Sequence, residues 1–403
     1  MSTAETYESL NIEPKPLRPH ILAAATVVFG DDYYAGRRET INLSGYVQLN
    51  KWPMEGFDHH VREDGKAEFG LELISAPEVG IKGYSYMLDD RIQVLSNPLL
   101  PNTGHVRQIV PGKNFPAEFY IRRFGVLETS TMRLAHRDVI DILGVVDGIP
   151  PYKKPLTAPL LGSPRGDGPG TVVPAPNVVR GINLPEAWYP ANEQNEPMGL
   201  TPTVFFDSSM GPCISTLVDP SWIIQTTAEA RMTVEVGGAT AHFDLAGDHK
   251  LAAGAEILLF DPEKHGDGDG ILAQLARLAI VGECPELGGR VMARVSFFTP
   301  SGGTVGEGWE SSLDALRYPS ELHLDAQIEI VTPTGVLYGA SPTHLSGALS
   351  DIEVTGTELS KDGGEIPLVS ADGERKATLT GIDLQLGEAQ VGKEAYVTPV
   401  PVA

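Results

Sequence analysis

The sequence predicts a mainly β protein: two tandem antiparallel β-sandwich or β-barrel domains from an internal duplication, with a short helix inserted in the second. Three observations carry this reading. They are an ungapped internal repeat, period-two alternation of apolar residues in both halves, and abundant turn formers. The chain of 403 residues contains 44 Gly and 32 Pro, which suits short strands joined by turns better than helical bundles.

The repeat places residues 115–149, FPAEFYIRRFGVLETSTMRLAHRDVIDILGVVDGI, over residues 318–352, YPSELHLDAQIEIVTPTGVLYGASPTHLSGALSDI. Pro116 and Pro319, Glu118 and Glu321, Thr129 and Thr332, Thr131 and Thr334, Leu134 and Leu337, Gly144 and Gly347, and Ile149 and Ile352 are identical pairs. Each copy reads as strand, turn, strand. In the second, Leu322, Leu324, Ile328 and Ile330 are spaced by even numbers and fall on one face of an extended chain. Thr332, Pro333, Thr334 and Gly335 then make the turn, because Pro pre-sets φ and Gly accepts positive φ. Upstream, residues 91–106 lie over 290–305 once an insertion is allowed in the second copy, which brings Pro101 onto Pro300 and Gly104 onto Gly303. A second hairpin is expected there in each copy.

Taken in order, residues 1–35 read as an N-terminal arm and strand. The apolar run Ile21 to Phe29 follows a polar, Pro-containing leader, so it is expected as a buried strand and not a secretory signal. Residues 36–150 form the first β domain, in which Ile41, Leu43, Val47 and Leu49, then Phe69, Leu71 and Leu73, alternate with polar or small residues. Residues 151–225 read as a Pro/Gly-rich connector followed by an aromatic docking segment. Residues 226–355 form the second β domain, opened by Met232, Val234 and Val236. Residues 356–403 read as a C-terminal β-hairpin tail, marked by the turns Asp362-Gly363-Gly364 and Asp372-Gly373. Within the second domain, Ile271 to Ile280 (ILAQLARLAI) is apolar nearly all round and rich in helix formers, which predicts the inserted helix.

The formal net charge is −23 and the pI about 4.8. Such a surface repels a phosphate backbone, so nucleic acid is excluded as a partner, and the charge is read as serving solubility. Cys213 and Cys284 are the two cysteines. Without a CxxC pair there is no case for structural zinc or a disulfide framework, so reduced thiols and a cytoplasmic location are expected. No apolar run reaches membrane-spanning length.

Candidate sites are dispersed. Asp58, His59, His60, Glu63 and Asp64 form the densest run of potential metal ligands, and Trp52 beside them makes Trp52, His59 and His60 the candidate ligand-binding residues. Adjacent histidines on a strand point to opposite faces, which favours a solvated loop over a metal site. His265, Asp267 and Asp269 resemble the oxygen-rich loops that take calcium. The EF-hand pattern fails, however, because its twelfth position is Ala276, and a turn capping the helix explains the same residues. His59, His60, Asp267 and Asp269 are thus the candidate ligands for a divalent ion, while no cofactor is predicted. Nucleophile elbows, P-loops, HExxH and dinucleotide fingerprints are missing from the sequence.

No catalytic residue is assigned. The first functional reading is a non-catalytic binding or assembly protein, with a protein partner or an apolar small molecule as ligand. The alternative is an isomerase- or cyclase-like enzyme acting on an apolar small molecule inside a β-domain cavity. Trp188, Tyr189, Phe205 and Trp222 carry too much apolar surface to leave in water, so a homo-oligomer interface through them is expected.

Overall fold

The structure is a computed structural model that describes residues 19–30, 37–52, 60–74, 80–146, 178–181, 186–206, 214–218, 220–260, 271–296, 301–306 and 316–393. The described residues are mainly strand, with two short 3-10 turns and no α-helix among them. The chain divides into two compact units, Met1–Tyr152 with Pro174–Asp219, and Lys153–Val173 with Pro220–Ala403.

In unit 1 the strands are β1 (His20–Phe29), β2 (Arg38–Tyr46), β3 (Gln48–Trp52), β4 (His60–Val61), β5 (Ala67–Ile74), β6 (Ile81–Ser85), β7 (Asp90–Ser96) and β8 (Thr103–Gln108). They continue as β9 (Ala117–Arg123), β10 (Gly125–Glu128), β11 (Arg133–His136), β12 (Ile140–Val146), β13 (Val178–Gly181), β14 (Glu186–Pro190), β15 (Val204–Phe206) and β16 (Ile214–Val218). After β1, the strands group in sequence pairs (β2 with β3, β5 with β6, and so on to β15 with β16), each pair making one run of the antiparallel ladder. Each run is hydrogen-bonded to the next. The last run returns to the first: β16 pairs with β1 from His20 to Ala24, and β15 pairs with it from Val27 to Phe29. The ladder is therefore closed.

Unit 2 is laid out in the same way: β17 (Trp222–Val236), β18 (Ala239–Gly247), β19 (Gly254–Phe260), β20 (Ile271–Cys284), β21 (Gly289–Val295), β22 (Gly302–Val305) and β23 (Ser320–Ala326). Then follow β24 (Ile328–Thr332), β25 (Gly335–Gly339), β26 (Thr343–Leu349), β27 (Glu358–Asp362), β28 (Ile366–Val369) and β29 (Arg375–Lys393). Here β17, β20 and β29 are long, and each spans two shorter partners on an edge. The long strand β29 pairs with β17 from Thr378 to Lys393 and closes the ladder.

Alternation decides what fills each ring. Ile21, Ala23, Ala25, Val27 and Phe29 of β1 meet Phe69, Leu71, Phe119, Ile121 and Trp188 in the core of unit 1. Met232, Phe243, Leu245, Ile257, Leu275, Ile330 and Leu384 do the same in unit 2. The turn after β24 uses Thr332, whose hydroxyl oxygen accepts from the Thr334 amide at 3.3 Å. The matching residue Thr129 accepts from the Thr131 and Met132 amides at 3.2 and 3.0 Å. The Phe115–Pro116 and Tyr318–Pro319 peptide bonds are both cis.

The helix expected from Ile271 to Ile280 is a strand, β20. Ile271, Ala273 and Leu275 point into the core, and a register shift opposite Glu256 and Ile257 makes Leu278 and Ile280 the next core residues. The extra residue turns a spacing of two into a spacing of three, so a bulged strand imitates helical periodicity. Its other face is buried as well, through Gln274 and Arg277, which is why the run is apolar nearly all round. Two expected boundaries also differ from the units observed. Residues 178–218, expected within a connector and docking segment, supply β13 to β16 of unit 1, and residues 358–393, expected as a tail, supply β27 to β29 of unit 2.

The outward faces of β19, β20, β21 and β24 carry buried charges. Arg277 lies 3.6 Å from Glu256, and Arg294 donates through Nε to Glu329 at 2.8 Å. Close strand approach occurs at Gly104 and Gly303, where an added Cβ would lie 1.9 Å from the Tyr120 carbonyl oxygen and 2.0 Å from that of His323. Gly303→Ala is therefore expected to destabilise unit 2 by about 1–3 kcal/mol, whereas Gly302→Ala, which meets nothing within 4 Å, should change stability by less than about 0.5 kcal/mol. Urea unfolding followed by circular dichroism checks the contrast. Glu329→Leu removes the carboxylate from Arg294 and should cost about 3–5 kcal/mol by the same measurement.

Candidate functional site

Two places in the described structure gather groups able to do chemistry or recognition. The first lies inside unit 1. Leu134 and His136 are two residues apart on β11, so both point inward, and His136 pairs in register with Trp188 of β14. Their ring centroids are 3.5 Å apart at an interplanar angle of 44°. Trp188 is 0% exposed and His136 4%. Gly125 of β10 makes this packing possible, because a Cβ there would lie 2.7 Å from Trp188 Cη2 and 3.1 Å from the His136 ring.

Arg123 ends β9 with the same parity as Ala117, Phe119 and Ile121, which are core residues. Burial, and then the positive charge of Arg123, hold the His136 pKa well below the usual histidine range. The imidazole is thus neutral at pH 7.

The second place is the outward face of unit 2. A depression of about 610 Å³ is lined by β17, β18, β27 and β29, with a contribution from Val281 of β20. Register makes it a grid: Asp244, Arg231, Asp383 and Ser360 form one cross-strand row, and Ala246, Glu229, Gln385 and Glu358 the next. Arg231 Nε donates to Asp244 at 3.1 Å, and Ser360 Oγ donates to Asp383 at 2.8 Å. All of these side chains are exposed, while Ala230, Leu245 and Leu384 between them are buried.

The residues singled out from the sequence fall elsewhere or outside the description. Trp52 ends β3 and His60 begins β4, but their side chains are outside the described set, and His59, Asp267 and Asp269 are outside it altogether. Among the described residues, no group of three or more His, Cys, Asp or Glu is placed to hold a metal ion. The four aromatic residues assigned to an interface do not form one exposed patch. Trp188 is in the core of unit 1, and Trp222 is half-buried against the core of unit 2. Tyr189 is half-buried with the Arg137 guanidinium 4.1 Å from its ring centroid. Phe205 lies in β15, and its side chain is outside the described set. Each is a strand residue that closes unit 1 or opens unit 2, so its apolar surface is used within a unit where it is described.

Glu118 and Glu321, identical in the sequence alignment, each lie beside basic side chains. Glu118 pairs across strands with His105 at 3.1 Å and Arg107 at 3.2 Å, and Glu321 lies 3.4 Å from His323. Cys284 is buried, and burial raises its thiol pKa.

Residues 1–398 match a family of unknown function, DUF6004. The chain belongs to that family. No curated protein matches this DUF6004 chain. Among solved structures it is similar to DynF from the dynemicin biosynthesis pathway of Micromonospora chersina, with 18% identity and a TM-score of 0.33 over 42% of this chain and 81% of DynF. No helix among the described residues of this DUF6004 member is long and apolar enough to cross a membrane.

His136, Arg123 and Gly125 come from three strands and share no local motif, so the sequence marks them only through parity with Leu134 and Ile121. A buried histidine of depressed pKa has a stability signature. The unfolded chain takes up a proton near the ordinary value of 6.5 and the folded chain does not, so stability should fall as pH drops below about 6.5, by up to about 1.4 kcal/mol per pH unit. His136→Phe should lack that part of the slope. Urea midpoints of wild type and variant between about pH 5 and 7.5 check it, and parallel curves would show that His136 titrates alike in both states.

Proposed function

We propose that this DUF6004 chain is a non-catalytic binding protein made of two β-barrel units derived by internal duplication, with recognition on an outer surface. The observation that carries the reading is the depression on unit 2. It presents four carboxylates (Glu229, Asp244, Glu358 and Asp383) around the single guanidinium of Arg231, which Asp244 already engages. Exposed carboxylates contribute little one at a time, but several on a concave wall act together on a multiply charged ligand. Ser360 and Gln385 add hydrogen-bonding capacity. An organic polycation fits this chemistry.

The duplication in this reading rests on residues that match in the sequence alignment and have matching roles. Gly104 and Gly303 both sit where a neighbouring strand's carbonyl leaves no room for a side chain. Arg122 pairs with Asp141, and at the matching register Asp325 pairs with His344, an acid–base pair with its polarity exchanged.

The enzymatic alternative calls for a cavity with convergent polar groups inside a unit. Packed apolar side chains occupy most of the inward positions of both cores, which favours binding outside. Calorimetric titration with spermine tests the proposal. Binding should weaken as salt rises, and the double substitution Glu229→Gln with Asp383→Asn should reduce affinity at least about ten-fold, a difference of about 1.4 kcal/mol. Absence of binding, or binding unchanged in the variant, would overturn it.

A further inference from the structure

Arg123 is out of place in a chain with 53 acidic and 30 basic residues. Its Nε is buried and has no hydrogen-bond partner. Of the carboxylates near it in sequence and register, Asp141 pairs with Arg122, Glu118 with His105 and Arg107, and Glu128 with Arg133, while Asp138 is exposed to solvent. Strand parity directs Arg123 toward the interior of unit 1, where its neighbours Phe119 and Ile121 are core residues. The residue as a whole is half-buried.

A positive charge held against apolar surroundings without a counter-charge is unfavourable, and an anion that supplied the counter-charge there would be bound. The positive charge of Arg123 acts on the buried His136 ring, which packs on Trp188, with Gly125 leaving room for both rings.

We propose that Arg123 is the anchor of an oxoanion-binding site at the end of the unit 1 interior, taking the sulfate, phosphate or carboxylate group of a small ligand. The guanidinium presents a fork of N–H donors that matches two oxygens of such a group. The buried His136–Trp188 pair keeps the surroundings apolar and strengthens the pairing. This site is separate from the depression on unit 2, and neither reading depends on the other.

The probe is sodium sulfate, with sodium chloride at equal ionic strength as the control, added to the full chain. Two signals report on the site: the tryptophan fluorescence of wild type minus that of Trp188→Phe, and the His136 ring proton in a histidine-labelled sample, assigned by its loss in His136→Phe. Both should change saturably with sulfate and not with chloride. Arg123→Gln should abolish the change or weaken binding at least ten-fold, and Arg123→Lys should retain part of it. An equal response to both salts in wild type overturns the proposal whether or not a variant folds. So does an unchanged sulfate response in a folded Arg123→Gln.

Discussion

Closure of each strand ladder on itself is the constraint from which the rest of the structure follows. An open antiparallel sheet would leave two edges of unpaired amides and carbonyls, each able to capture another chain. Here β15 and β16 return to β1, and β29 returns to β17 along most of its length. Once the ring is closed, every residue of a strand faces either inward or outward. The inward set must fill a volume of fixed size. Hence most inward positions are apolar, and glycine appears where a neighbouring strand comes too close for any side chain, as at Gly104 and Gly303.

The outward positions are freer, and they differ around the ring of unit 2. On β19, β20, β21 and β24 they are buried, and charges there occur in pairs, Glu256 with Arg277 and Arg294 with Glu329. Removing such charges from water is costly, and each carboxylate offsets the cost for its arginine. On β17, β18, β27 and β29 the outward positions are exposed and polar, and curvature of the sheet leaves a depression between them. One closed ladder thus presents a concealed face and a face available for recognition.

The interior of unit 1 departs from the apolar rule at one end, where His136 lies against Trp188 and Arg123 points inward beside them. Burial keeps the imidazole neutral, so the pair can share the core with leucine and phenylalanine. Arg123 cannot become neutral in this way, because a guanidinium stays protonated in proteins. Its charge is what distinguishes this end of the unit.

How far the sequence reached can be seen residue by residue. Alternation placed Ile41, Leu43, Phe69, Leu71, Met232 and Val234 on core faces, because a strand's side chains change face at every residue whatever the fold around them. Pro333 and Gly335 placed a turn because their φ preferences are local. Strand β20 was beyond that logic: its bulge and two buried faces are properties of its neighbours, and alone it shows a helix former's composition. The segment from Val178 to Val218 reads from its sequence as docking without a defined place, because its strands are short and pair with β1, β11 and β12, which are distant in sequence. Arg123, Gly125, His136 and Trp188 lie on four strands, and Glu229, Asp244, Glu358 and Asp383 on another four. The sequence by itself determined which side of a strand each occupies. Which of them meet was decided by the register of the closed ladder, because hydrogen bonds between strands distant in sequence set that register.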